Sequence, residues 1–88
     1  MDRADRLKRL RFRASHRGTR EADMLIGGYC DLLSDSWDEA AIDWFEALLE
    51  EQDVDIMAWA MGTLPVPARW QGPMLEMLKV LNYVPISR

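Results

Sequence analysis

The sequence predicts an all-α fold, a single compact five-helix bundle, and three observations carry that expectation. Apolar residues recur at steps of three and four along the chain, the period of a helix that buries one stripe. No run of alternating β-branched residues offers a strand. Breakers and capping residues fall between the apolar stripes, at Gly18, Ser36, Asp53, Gly62 and Pro65.

The first helix is expected from about Arg3 to His16, where Leu7, Leu10 and Ala14 share a stripe and Gly18 interrupts it. A second follows from about Thr19 to Leu33, with Ala22, Leu25, Ile26, Tyr29, Leu32 and Leu33 on one face. Gly27 and Gly28 inside it each weaken the helix by about 1 kcal/mol relative to alanine, but let another backbone come close. Ser36-Trp37-Asp38-Glu39 reads as a capping box, Ser36 accepting from the Glu39 amide and the Glu39 carboxylate reaching back. The third helix behind it has the strongest stripe, Ala41, Trp44, Phe45, Leu48 and Leu49. Asp53 reads as the N-cap of a short fourth helix carrying Ile56, Met57, Ala60 and Met61, stopped by Gly62. Pro65 and Pro67 keep the next connection extended. A last helix is expected from about Ala68 to Asn82 with Leu75, Leu78 and Leu81 inward. Gly72-Pro73 breaks or restarts its first turn, and Pro85 ends regular structure.

With 88 residues, 49% hydrophobic and 30% charged, the chain has room for one helical domain, 1–88, with its core at about 5–83. A core of that size removes only about 60–65% of the unfolded chain's surface from water. One cysteine, Cys30, excludes an intramolecular disulfide and a multi-cysteine zinc site. No apolar run approaches the ~20 residues of a membrane-spanning helix, so no membrane insertion is expected. Lys8, Arg9, Arg11 and Arg13 interrupt what would be the apolar part of a secretory signal. An arginine-rich start suits a mitochondrial presequence, but Asp2 and Asp5 argue against one.

The net charge of −4 conceals three unlike segments. Residues 1–20 carry +6, residues 21–62 hold twelve acids and no base, and residues 63–88 carry +2. Such polarity steers association with a charged partner, more weakly as salt rises. It equally suits a basic first helix packed beside an acidic third one, the two fields partly cancelling.

Catalytic chemistry finds few residues to use. His16 is the lone histidine, and Cys30 lies on another helix with no CxxC or HxxxH companion. Ser15 and His16 are adjacent, so on a helix their side chains diverge by about 100° and make no nucleophile–base pair. Asp38, Glu39, Asp43, Glu46 and Glu50 mostly occupy the solvent face of their helix. Gly27-Gly28 sits within a helical stripe and forms no phosphate loop. No catalytic, metal or cofactor-binding residue is expected, and the chain does not read as an enzyme. Trp44 belongs to the core stripe. For Trp37 and Trp70, core packing and partly exposed partner anchoring are both compatible with the pattern.

His16-Arg17-Gly18-Thr19-Arg20-Glu21 joins the first two helices. With Gly18 at or near the N-cap, Glu21 falls at the third helical position, where free amides and the helix dipole favour a carboxylate. Arg17 can pair with Glu21 or remain free to grip a partner's carboxylate with its planar fork. Gly18 lets another backbone approach, and any side chain there would act as a spacer. The alternative is an ordinary inter-helix turn with a local salt bridge.

Arg9-Leu10-Arg11-Phe12-Arg13, then Arg17-Gly18-Thr19-Arg20-Glu21 followed by Asp23, resembles the RGxxE signature of the SdhE family. These are bacterial FAD assembly factors, counterparts of mitochondrial succinate dehydrogenase assembly factor two. The likeness continues through Leu33-Ser34-Asp35, Leu48-Leu49-Glu50 and Asp53-Val54-Asp55-Ile56-Met57-Ala58-Trp59 to about Leu81. Phe12 stands where the family often has Trp, His16 where a second Arg is frequent, and Ala22 where Leu is usual. The resemblance implies a non-enzymatic factor that binds the flavoprotein subunit of succinate dehydrogenase or fumarate reductase and promotes covalent attachment of FAD to a histidine of that subunit. It implies partner contacts at Arg17, Gly18 and Glu21, with Arg13, Arg20 and Asp23 as neighbours, and no cofactor of the chain's own. With no removable presequence read ahead of the family-like region, the bacterial cytoplasm is expected over the mitochondrial matrix. The competing readings are a nucleic-acid binder using the basic first segment, against which the acidic remainder would repel a polyanion, and an antitoxin-like interaction module. No nucleic acid is expected as partner.

Overall fold

Asp2 accepts a hydrogen bond from the Asp5 amide at 2.9 Å and so caps the first helix. In the computed structural model, which describes residues 2–80, α1 spans Arg3–Ser15 and buries Leu7, Leu10 and Ala14, as their spacing predicts. Thr19 caps α2, Arg20–Leu33, through the Ala22 amide at 3.2 Å. The two helices pack closely on each other. They come close at Gly27, where a Cβ would lie 3.0 Å from Ser15 Cβ and 3.1 Å from Ser15 Cα. The expected close backbone contact is therefore realised. Within α2, Cys30 is buried while Leu32, expected on the inner stripe, is exposed.

The start of the third helix differs from the expected capping box. Ser36 belongs to a short 3-10 turn, Ser34–Ser36, and its hydroxyl donates to the Leu33 carbonyl at 2.8 Å. Asp38 is the N-cap of α3, Glu39–Leu48, accepting from the Ala41 amide at 2.9 Å. The physical reason is Trp37. Its extended backbone carries the indole into the core, 4.9 Å from the Phe45 ring and 5.7 Å from Tyr29, and the helix starts after it. Ile42 takes the buried position on α3, and Trp44 lies half-buried at the rim.

α4, Asp53–Met61, is by contrast entered one residue earlier than expected. Gln52 is its N-cap with no side-chain bond, and Asp53 is the first helical residue. Gly62 ends it in the left-handed conformation at φ +80°, and the Thr63 amide donates to the Ala58 carbonyl at 2.9 Å, a Schellman closure. Met61, expected inward, is exposed. The expected last helix is divided into a 3-10 turn at Ala68–Trp70 and α5, Pro73–Leu78, with Gly72 as N-cap and Pro73 at its first position. Leu75 and Leu78 point inward; Leu81, Asn82 and Pro85 lie outside the described residues.

The five α-helices of the described residues surround one apolar core in which Tyr29, Phe45, Trp37, Trp59 and Trp70 are buried. Trp37 and Trp70 are thus packing residues. Trp70 meets Trp44 edge-on at 5.8 Å and Trp59 at 6.4 Å. The Tyr29 hydroxyl donates to the Met74 carbonyl at 2.8 Å and ties α2 to the last helix. The radius of gyration, 12.3 Å, is close to the ~12 Å of a compact chain of this length. No helix among the described residues is long and apolar enough to cross a membrane.

Charge polarity is absorbed between helices. Glu39, Asp43 and Glu46, spaced by four and three, share one face of α3, and Arg6 of α1 bridges all three, at 2.9 Å to Glu39 and 3.2 Å to Glu46. The hydrogen bonds that Arg6 donates to Asp43 and then to Glu46 raise its guanidinium pKa above the ordinary value. Arg11 pairs with Asp35 at 2.8 Å and Arg13 with Glu50. The basic first helix does pack beside the acidic third.

Candidate functional site

The elbow between α1 and α2 begins where α1 loses its last carbonyls. Ser15 Oγ donates to the Arg11 carbonyl at 2.8 Å, and His16, the C-cap, brings Nδ1 within 2.7 Å of the Phe12 carbonyl. Contrary to the expected divergence, Ser15 Oγ and His16 Nδ1 meet at 3.2 Å, because His16 has already left helical geometry. They are still no nucleophile–base pair. Bonding to a carbonyl requires Nδ1 to carry the proton, so it has no lone pair for the serine. The His16 ring stacks on Phe12 at 4.0 Å and 15°.

Gly18 follows at φ +113°, exposed, with nothing within 4 Å of where a Cβ would stand. That backbone is strained for any L side chain, so glycine is required by conformation and not by crowding. Thr19, not Gly18, is the N-cap, which puts Glu21 at the second helical position, still beside the free amides. The Asp23 carboxylate accepts from the Arg17 amide and closes the turn from the α2 side.

Arg17 is the residue the structure most changes. Its Nε donates to Asp53 Oδ1 at 2.7 Å, and Nη2 donates to the Leu49 carbonyl at 2.9 Å and the Glu51 carbonyl at 3.2 Å. Its side chain is 12% exposed. It neither pairs with Glu21 nor stands free to grip a partner. The turn leaving α3 presents two carbonyls at the negative end of a helix and an acid just beyond, an arrangement fitted to a planar fork. The sequence-expected residues therefore sort by position. Gly18, Arg20 and Glu21 form the exposed outer surface, Arg13 flanks it while paired to Glu50, and Arg17 and Asp23 hold the turn from within. Asp53 completes that support 36 residues away, and no local pattern signals it.

Other chemistry has little to build on. Cys30 is buried, and its thiol is pushed up to about 11, by desolvation first, with a smaller opposing hydrogen bond involving Ser34. Among the described residues no group of three or more His, Cys, Asp or Glu is placed to hold a metal. An open recess of about 430 Å³ beside Trp37 and Trp44 has one ionisable liner, Asp38, whose carboxylate already caps α3.

Fold and elbow define a small all-helical protein with an exposed, internally braced helix–helix turn. Residues 8–82 match the family model described as Sdh5, flavinator of succinate dehydrogenase, and the chain belongs to that family. It is 41% identical over 73 residues to the FAD assembly factor SdhE of Acetobacter pasteurianus, a match covering 83% of this chain and 67% of that protein. It is 35% identical over 68 residues to the mitochondrial succinate dehydrogenase assembly factor 2 of Mycosarcoma maydis, covering 77% of this chain and 29% of that one. The corresponding protein of Meyerozyma guilliermondii is 34% identical over 77 residues, covering 84% and 56%. The chain therefore spans 29% and 56% of the lengths of these two fungal relatives.

Proposed function

We propose that this chain is a non-enzymatic assembly factor that docks on the flavoprotein subunit of succinate dehydrogenase, or of fumarate reductase, and promotes covalent attachment of FAD to a histidine of that subunit. The observation that carries the reading is the elbow. Gly18 is bare, exposed and unobstructed, with Arg20 and Glu21 beside it, while Arg17, Asp23 and Asp53 fix its shape. A rigid, side-chain-free turn lets a much larger partner's backbone come close, and a pre-formed surface avoids the ordering cost of binding. Membership of the flavinator family and the names of the relatives support the choice of client.

On this reading the chain acts by positioning. It holds the flavin-binding part of the client where the target histidine and the isoalloxazine meet, and the reacting groups belong to the client and its FAD. Arg20 and Glu21 orient the docked surface. Arg13 extends it along α1, and Arg17 acts through the turn it braces. The higher identity to the bacterial relative than to the two fungal ones supports a site of action in the bacterial cytoplasm.

The test is co-expression of the flavoprotein subunit with no factor, with wild type and with Gly18→Arg, read by in-gel fluorescence of covalent flavin. Covalent flavin is expected to rise with wild type and to fall for the variant while its helical circular dichroism persists. Equal flavinylation in all three cultures would refute the proposal.

A further inference from the structure

The outer face of α1 carries a feature the elbow does not account for. Phe12 is 63% exposed one turn before the helix ends, and the stacked His16 ring holds it in place. A recess of about 370 Å³ beside it is lined by Lys8, Arg9, Phe12 and Arg13. Arg6, Arg11, Arg13 and Arg17 each reach an acid of this chain, but neither Lys8 nor Arg9 has an ion pair among the described residues. Leu32 and Val54, equally exposed, sit in sequence beside Asp31 and between Asp53 and Asp55. At Phe12 a large exposed apolar side chain stands in a basic collar.

We propose that this stripe of α1, Phe12 on His16 within the collar of Lys8, Arg9 and Arg13, is a second docking surface for an acidic protein face with an apolar recess at its centre. Resting on the reading above, we assign that face to the flavoprotein subunit, next to the region that meets the elbow. Aromatic anchors ringed by charge are the usual high-energy contacts of an interface, and a pre-stacked ring loses little freedom on docking. The collar's two unpaired cations supply complementarity to an acidic face. The stripe runs directly into the elbow, so one partner can cover both.

An aromatic ring among cations also suits an unpaired nucleic-acid base, but this molecule disfavours that occupant. Asp35 and Glu50 flank the cations of α1, and the chain is −4 overall. An extended polyanion would run onto those acids, whereas a local acidic patch need meet only the collar.

The experiment measures binding of purified flavoprotein subunit, without covalent flavin, to wild type, Gly18→Arg, Phe12→Ala, the double variant Lys8→Glu/Arg9→Glu, and Leu32→Ala as an exposed apolar control. Titrations are run at low and high salt, with circular dichroism as the folding check. Phe12→Ala is expected to weaken binding by about tenfold or more. The double variant should weaken it and flatten its salt dependence, and Leu32→Ala should bind as wild type. If both α1 variants bind as wild type while Gly18→Arg does not, the second surface is refuted and the elbow reading stands. If wild type itself fails to bind, the functional reading falls and takes this proposal with it. A single-stranded oligonucleotide gel shift that Phe12→Ala abolishes, with flavoprotein binding unchanged, would assign the stripe to nucleic acid and overturn it.

Discussion

Arg17 and Gly18 are neighbours with opposite duties, one turned inward and the other bare to solvent. The Arg17 fork links α1 to the turn between α3 and α4 through Asp53 and two carbonyls. Asp53→Ala strands a largely buried cation and should lower stability by about 2–3 kcal/mol, below the cost of breaking a fully enclosed pair because both side chains keep some solvent. Chemical denaturation measures that loss, and hydrogen exchange should speed up at the amides of residues 17–23. Arg17→Lys should lose most of the same stability, since an ammonium cannot reproduce the fork. Cys30 supplies a pH prediction with a definite sign. Its thiol is raised to about 11 in the fold, against ~8.5 in an unfolded chain, so the folded state holds the proton longer. The contribution is level below about pH 8.5 and is lost as pH rises toward 11, by about 3 kcal/mol in all. Cys30→Ala should show a correspondingly shallower alkaline decline in denaturation curves than wild type. The need for a glycine in the elbow is readable from neighbouring residues. The destination of the Arg17 side chain is not, because its acceptors lie 32–36 positions away and a fork chooses among acids by geometry alone.

Helices α1 and α2 depend on Gly27 for their contact. Alanine there gains up to about 1 kcal/mol of helix propensity but drives a methyl to 3.0 Å from Ser15 Cβ, with the backbone behind it. Overpacking of that kind typically costs 1–3 kcal/mol, so Gly27→Ala should lower the midpoint of thermal unfolding despite the propensity gain. Between α1 and α3 the link is ionic. Arg6→Gln should destabilise the fold in low salt and less so in high salt, because the three acids it bridges remain largely solvated. The five helices were legible from apolar spacing, since that period reports which face is buried. The helix starts were less so. Trp37 demands a place in the core and moves the cap from Ser36 to Asp38, and Asp53 is drawn to Arg17 in place of capping α4. Both shifts arise from tertiary contacts that outweigh local capping preferences.

Viewed whole, the molecule neutralises much of its own polarity and leaves a few features uncovered, the bare turn at Gly18 and the cations around Phe12 among them. The segment charges showed the polarity without saying where it would be cancelled. The pairing of Arg6, Arg11 and Arg13 with acids of later segments settles that point and leaves Lys8 and Arg9 outward. The proposed docking role makes a sharp distinction between two substitutions at one position. Gly18→Ala and Gly18→Arg share the same backbone penalty at φ +113°, about 1–3 kcal/mol, and the Cβ that both add has nothing within 4 Å. They differ in how far a side chain projects toward a partner. The decisive measurement is the rate of covalent flavin incorporation into purified apo-flavoprotein subunit with FAD and each purified variant, both shown to be folded. If a partner lies against the turn, alanine should retain much of the wild-type acceleration and arginine should abolish it. Equal rates for alanine and arginine would mean that nothing approaches Gly18, and the account of this elbow as the landing surface would be wrong.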